Sequence, residues 1–155
     1  MSNMISEVLK LKYNSVTLAP AMLTYFENCE VEKDNVLMVY LLLPVILNND
    51  WINGSPIVKK ASRFDSWVRE NRIHIEGLPE RLSTFQSLTE TTLQYCIDNE
   101  LVRVDESNNV VIIKNPYKKN KGVLIDSARR LSKLMGKTTA AKAYATLGIK
   151  KLEFV

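Results

Sequence analysis

Apolar residues recur at helical spacing along most of the chain. In TLAPAMLTYFENC, residues 17–29, Leu18, Met22, Tyr25, Phe26 and Cys29 fall at offsets of 4, 7, 8 and 11, the spacing of one buried helix face. Thr17 is placed to cap that helix, and Pro20 is tolerated near its first turn. The next stretch differs in kind. Val36–Leu47 (VLMVYLLLPVIL) is twelve residues without a charge, apolar on all sides, which predicts a central helix covered all round. Asp34 or Asn35 is its expected cap. Pro44 has no N–H for the carbonyl of Tyr40, so a kink or break is expected between those two residues. SPIVKKASRFDSWVREN, residues 55–71, reads as a third helix, with Ser55 as cap, Pro56 at its first position, and Ile57, Ala61, Phe64, Trp67 and Val68 facing inward.

Residues 78–113 combine both periodicities. LPERLSTFQ opens with a proline suited to a first turn. SLTETTLQYCIDNE opens with Ser87 and Glu90 at capping-box spacing, then runs on through Leu88, Leu93, Tyr95, Cys96 and Ile97. Two helices with almost no linker are therefore expected. LVRV and VVII then flank DESNN, whose residue types close a β-hairpin loop. Helix, tight turn, helix and hairpin is the order of a winged helix-turn-helix. Its charges oppose groove insertion: residues 87–100 hold no Lys or Arg but carry Glu90, Asp98 and Glu100, and the presumed wing tip adds Asp105 and Glu106. Protein docking through Glu90, Asp98 and Glu100 is the preferred reading.

The last third reverses the sign. Lys114 to Lys151 contains eleven Lys/Arg and one acid, Asp126, whereas residues 1–113 hold ten Lys/Arg against fifteen acids; the overall charge of +4 conceals this dipole. Leu124, Ala128, Leu131 and Met135 form one apolar helix face, and Arg129, Lys133 and Lys137 step along another at intervals of four, with Arg130 beside them. Thr138 can cap a second helix that Gly148 ends, giving a helical hairpin. A cationic stripe is ordinarily a solvated face. Together with NPYKKNKG just before it, this excess marks Lys118, Lys119, Lys121, Arg129, Arg130, Lys133 and Lys137 as candidates to contact an anionic partner, either nucleic-acid phosphate or an acidic protein surface.

Other function classes find little support. Crossing a bilayer takes roughly 20 apolar residues, more than the run at 36–47 supplies. MSNMISEVLKLKYNSV mixes Glu7, Lys10 and Lys12 into its apolar positions, unlike a signal peptide, so a cytoplasmic chain is expected. Cys29 and Cys96 have no second Cys or His near either, and the sole histidine, His74, sits between two isoleucines, so neither a zinc site nor a disulfide framework is signalled. No phosphate-cradling glycine loop, nucleophile elbow or HExxH pattern occurs. A noncatalytic protein without cofactor or metal is expected.

Three features together resemble one family. LLLPVILNN (41–49), the winged-helix order at 78–113, and ARRLSKLMG with AYATLGIK (128–150) are similar to the small middle component of bacterial three-component ABC systems, of which the Lamassu anti-phage and anti-plasmid systems are an example. The resemblance spans about Thr17 to Lys150. It implies a noncatalytic adaptor bridging an SMC-like ABC ATPase and a variable effector, often a nuclease, in an assembly that senses foreign DNA or DNA ends. It also implies that Leu41–Asn48 is a structural axis. By charge alone, the acidic element and the basic hairpin suit two different partners. The competing class is a freestanding winged-helix DNA-binding regulator, which would dimerise and bind DNA alone. The expected architecture is mainly α within the α+β class, as a single compact domain over 1–155. A helical part (1–77) packs on the winged-helix-like unit (78–113), and a basic C-terminal helical hairpin (114–155) follows.

Overall fold

The computed structural model describes residues 13–31, 33–47, 64–70, 76–136 and 138–149. The elements in chain order are α1 (Ser15–Glu27), a 3-10 turn (Asn35–Met38), α2 (Val39–Ile46), α3 (Phe64–Glu70), α4 (Leu78–Asp98), strands β1 (Val102–Val104) and β2 (Val110–Ile112), α5 (Val123–Met135) and α6 (Ala140–Thr146). Among the described residues the fold is mainly helical with one two-stranded antiparallel sheet, as the sequence predicts. The first part of the third predicted helix, His74, Lys137 and the N-terminal dozen residues lie outside the described residues.

The hub is α1 rather than the 36–47 segment. It packs most extensively on α5 and α4, and also touches β2 and α2. Leu18, Met22, Tyr25 and Phe26 are buried as their spacing predicts, and Leu23 with them. Its cap is Asn14, three residues before the expected Thr17: Asn14 Oδ1 accepts from the Thr17 N–H at 2.9 Å and from its hydroxyl at 3.0 Å. Pro20 is therefore the sixth helical residue, and the carbonyl it leaves without an amide belongs to Val16, an exposed residue that water can reach. At the other end the carbonyl of Tyr25 accepts from Ser132 Oγ of α5 at 2.9 Å, a buried tertiary replacement for a missing helix bond.

The apolar 36–47 segment is a 3-10 turn followed by an eight-residue α-helix. Neither Asp34 nor Asn35 caps it through a side chain. The α-helix runs through Pro44 without ending there, contrary to the expected break; the change of helix type falls earlier, between Met38 and Val39. Burial explains the tolerance. Leu41, Leu42, Leu43 and Ile46 are fully inaccessible, worth about 1.5–3 kcal/mol each. An interior proline costs about 3 kcal/mol.

The largest departure from expectation is α4. Residues 78–98 form one uninterrupted helix of 21 residues, with no turn at Gln86–Ser87, so the helix-turn-helix expected within this segment is absent. The buried positions Leu78, Leu82, Thr89, Thr92 and Cys96 run straight through the presumed break at steps of three, four and seven. Two of them are threonines, which disguise the stripe; Thr92 Oγ1 satisfies itself on the carbonyl of Leu88 at 2.8 Å. Gly77, at φ +80°, turns the chain into this helix, and Pro79 occupies its first turn.

The hairpin forms as predicted, with Val102 opposite Ile112, Arg103 opposite Val111 and Val104 opposite Val110. One apolar core cluster draws on every described element, from Leu18 to Ile149.

Candidate interaction surfaces

The hairpin tip is fixed by its own polar residues. Asp105 Oδ1 accepts from the N–H groups of Ser107 (2.8 Å) and Asn109 (3.0 Å), and Asn108 adopts φ +57°. The closed tip is then stitched to the entrance of the 3-10 turn. The N–H groups of Asp34 and Val36 donate to the carbonyls of Ser107 (2.9 Å) and Asn108 (3.1 Å). The Asn35 N–H donates to Asn109 Oδ1 at 3.0 Å, and Asn35 Oδ1 accepts from the Val110 N–H at 2.7 Å. Asn108 Nδ2 donates to Asp34 Oδ1 at 3.1 Å. A tip held by five such bonds is a structural seam, not a free wing, and the charge of Asp105 is engaged within it.

The acidic candidates lie along one exposed edge of α4 and just beyond it. Gln86, Glu90, Gln94 and Asp98 succeed one another at steps of four: Gln86 Nε2 donates to Glu90 at 3.1 Å and Gln94 Nε2 to Asp98 at 2.7 Å. Glu90 also accepts from the Tyr40 hydroxyl at 3.1 Å, tying α4 to α2. Burial first, then the charge and hydrogen bond of Glu90, push the Tyr40 hydroxyl up to about 12. Glu100 sits in the connection to β1 at φ +57°, with its side chain exposed. The sequence singles out Glu90, Asp98 and Glu100 by their charge, and the bonding of Glu90 and Asp98 to Gln86, Gln94 and Tyr40 appears only in the structure.

The basic candidates divide into engaged and uncommitted groups. Lys118 Nζ pairs with Glu27 at 3.3 Å while Asn115 donates to the other oxygen of Glu27 at 2.8 Å, so this lysine tethers the 114–121 connection to the end of α1. Arg129 pairs with Asp126 at 3.2 Å, an exposed i,i+3 contact worth only a few tenths of a kcal/mol, roughly. Arg130 donates to Ser127 Oγ at 3.3 Å and is half-buried. Lys119, Lys121 and Lys133 are exposed with no acidic partner among the described residues. The helical hairpin exists where expected, though α5 stops at Met135: Gly136, at φ +54°, leaves helical backbone before Lys137. Thr139, not Thr138, caps α6, accepting from the Lys142 N–H at 3.2 Å. Lys142, not singled out from the sequence, lines one cleft with Lys133. Only tertiary structure brings these two together.

Against these surfaces stands one family match. The model described as ABC-three component (ABC-3C) system Middle Component 3 matches residues 2–151, nearly the whole chain. The chain belongs to that family. No curated protein and no solved structure matches it. As a Middle Component 3 protein it is one part of a three-component system, and that implies protein partners. Among the described residues of this middle component, no helix is long and apolar enough to cross a membrane, and no cluster of His, Cys, Asp or Glu could hold a metal ion. Cys96 is buried and its thiol is pushed up to about 11 by burial, the setting of a packing cysteine rather than a nucleophile.

Proposed function

We propose that this middle component is a noncatalytic, cytoplasmic adaptor that bridges an SMC-like ABC ATPase and an effector nuclease in a Lamassu-type anti-phage or anti-plasmid defence complex. The observation that carries the reading is the family match over residues 2–151, taken with two surfaces of opposite sign on one small protein. In this reading the basic hairpin, through Lys119, Lys121, Arg129 and Lys133, meets an anionic partner, DNA or an acidic face of the ATPase. The exposed acidic edge, Asp98 and Glu100 with Glu90, docks the other protein. Complementary charge sets partner choice and association rate more than affinity, which suits an adaptor that must not exchange its two neighbours. A freestanding regulator draws no support from a helix without a turn and a hairpin tip that is sewn down.

The test is co-purification. A tagged chain expressed from its native operon should retain both an ABC ATPase and an effector; recovery of the tagged chain alone, at low salt and with the neighbouring genes expressed, would refute the adaptor role.

A further inference from the structure

Between α3 and the turn that joins α5 to α6 lies a cleft of about 480 Å³. Among the described residues two cations line it: Lys133 from the last turn of α5 and Lys142 from α6, both exposed and neither with an acidic partner there. Three threonines line the same space. Thr139 Oγ1 accepts from the Lys142 N–H, and Thr146 Oγ1 donates to the Lys142 carbonyl at 2.8 Å, which holds the backbone of Lys142 in place. The hydroxyl of Thr138 makes no hydrogen bond to a described residue. Among the described residues the cleft has one acid, Asp65 of α3, with Oδ1 accepting from the N–H of Ser66 at 2.9 Å. Phe64, Leu134 and Met135 add apolar lining.

The geometry points to this cleft as a subsite for a backbone phosphate of nucleic acid, held by the Lys133 and Lys142 ammonium groups and the Thr138 hydroxyl. The inference rests on the proposed placement of the basic hairpin against an anionic partner, and commits that partner here to nucleic acid. Three features favour phosphate over protein carboxylate. The uncommitted cations are lysines, which bind phosphate as point charges, whereas the fork of Arg129 that would suit a carboxylate already faces Asp126. Threonine hydroxyls are common donors to phosphate oxygens. The cleft is also large enough for a sugar-phosphate unit, small-molecule pockets starting at about 300 Å³. Base reading is not built in: Phe64 is only 4% exposed and offers no face for stacking, so the contact is independent of sequence.

The full-length chain, with a short fluorescent single-stranded oligonucleotide followed by anisotropy across a salt series, tests this. Lys133→Gln and Lys142→Gln should each weaken binding and lower the salt slope by about 0.7. Thr138→Val, which removes no charge, should weaken binding about tenfold at an unchanged slope, the loss of one charge-assisted hydrogen bond. Lys114→Gln, which removes the same charge outside the cleft lining, should cost less than either cleft lysine. Thermal melts of each variant separate lost folding from lost binding. Wild-type affinity in Thr138→Val, or equal losses for Lys114 and Lys133, would overturn the subsite in favour of a diffuse basic field. Competition by inorganic phosphate as strong as by the oligonucleotide would reassign the cleft to a small free phosphate. Oligonucleotide binding that survives while co-purification fails sinks the adaptor role and leaves the subsite standing. Release of the ATPase by Lys133→Gln, without any oligonucleotide binding by wild type, would make the cleft a protein contact and end the proposal.

Discussion

Asn35→Ala should loosen the hairpin tip and destabilise the whole chain. Asn35 is 5% exposed, and its Oδ1 is the acceptor for the Val110 N–H at 2.7 Å, where β2 begins. Truncation leaves that N–H buried beside a methyl group, an orphan that costs about 1–3 kcal/mol. The second side-chain bond, from Nδ2 to the Val31 carbonyl at 3.5 Å, is too long to add much. The Asn35 backbone N–H keeps its partner on Asn109, so the seam is weakened but not abolished. A net loss of about 2 kcal/mol is expected, or roughly 4–8 °C in Tm for a chain of this size. Urea denaturation followed by tryptophan fluorescence and far-UV circular dichroism measures it, and the Val110 amide should exchange faster with solvent. Asn109→Ala removes the reciprocal acceptor, so the double variant should lose less than the sum of the two single losses, because both bonds close one seam. A loss below about 0.5 kcal/mol for Asn35→Ala, the range of ordinary surface changes, would mean that the tip moves independently, as a wing does.

Other consequences are open to measurement. Ser132→Ala should cost about 1–2 kcal/mol in urea denaturation, since it strands the buried carbonyl of Tyr25 at the end of α1; an unchanged midpoint would show that the contact between α1 and α5 does not depend on that bond. Stability should fall as pH rises from about 10 toward 12. The hydroxyls of Tyr25, Tyr40 and Tyr144 are raised above their usual value by burial, so their stabilisation is complete below pH 10 and is lost as they ionise in the fold. Tyr40→Phe should make that decline shallower between pH 10 and about 12, and an identical profile would remove Tyr40 from it. With a thiol reagent near neutral pH, half-buried Cys29 should label before Cys96, which should react only on unfolding; prompt labelling of Cys96 would contradict its burial.

Much of the fold is legible in the sequence because the apolar periods are clean. The face Leu124–Ala128–Leu131–Met135 announces α5, and DESNN between two β-branched runs announces the hairpin. Where the structure departs from the sequence pattern, a polar residue is buried or bonded across the fold. Thr89 and Thr92 lie fully buried in α4, and because threonine does not mark an apolar stripe, the capping-box spacing of Ser87 and Glu90 points to a helix start that the continuous helix does not have. Asn35 reads as a helix cap, but its side chain serves Val110, 75 residues away, a pairing that no local pattern encodes. Asn14 rather than Thr17 caps α1, because either residue type fits the role and only geometry decides. The charge dipole is visible in the sequence itself. The engagement of each cation is not: Lys118 pairs with Glu27, and Lys142 joins Lys133 only once α6 folds back after Gly136.

The adaptor role is tested most directly by charge reversal within the assembled complex. Arg129→Glu with Lys133→Glu reverses the exposed side of α5 and spares half-buried Arg130, whose contact with Ser127 supports the fold. Purified from its native operon, the tagged double variant should lose one neighbour, the ATPase or its associated DNA, and keep the other. An Asp98→Lys variant should show the reverse pattern. Retention of both neighbours by each variant, at wild-type stoichiometry and with wild-type melting temperatures, would contradict the account.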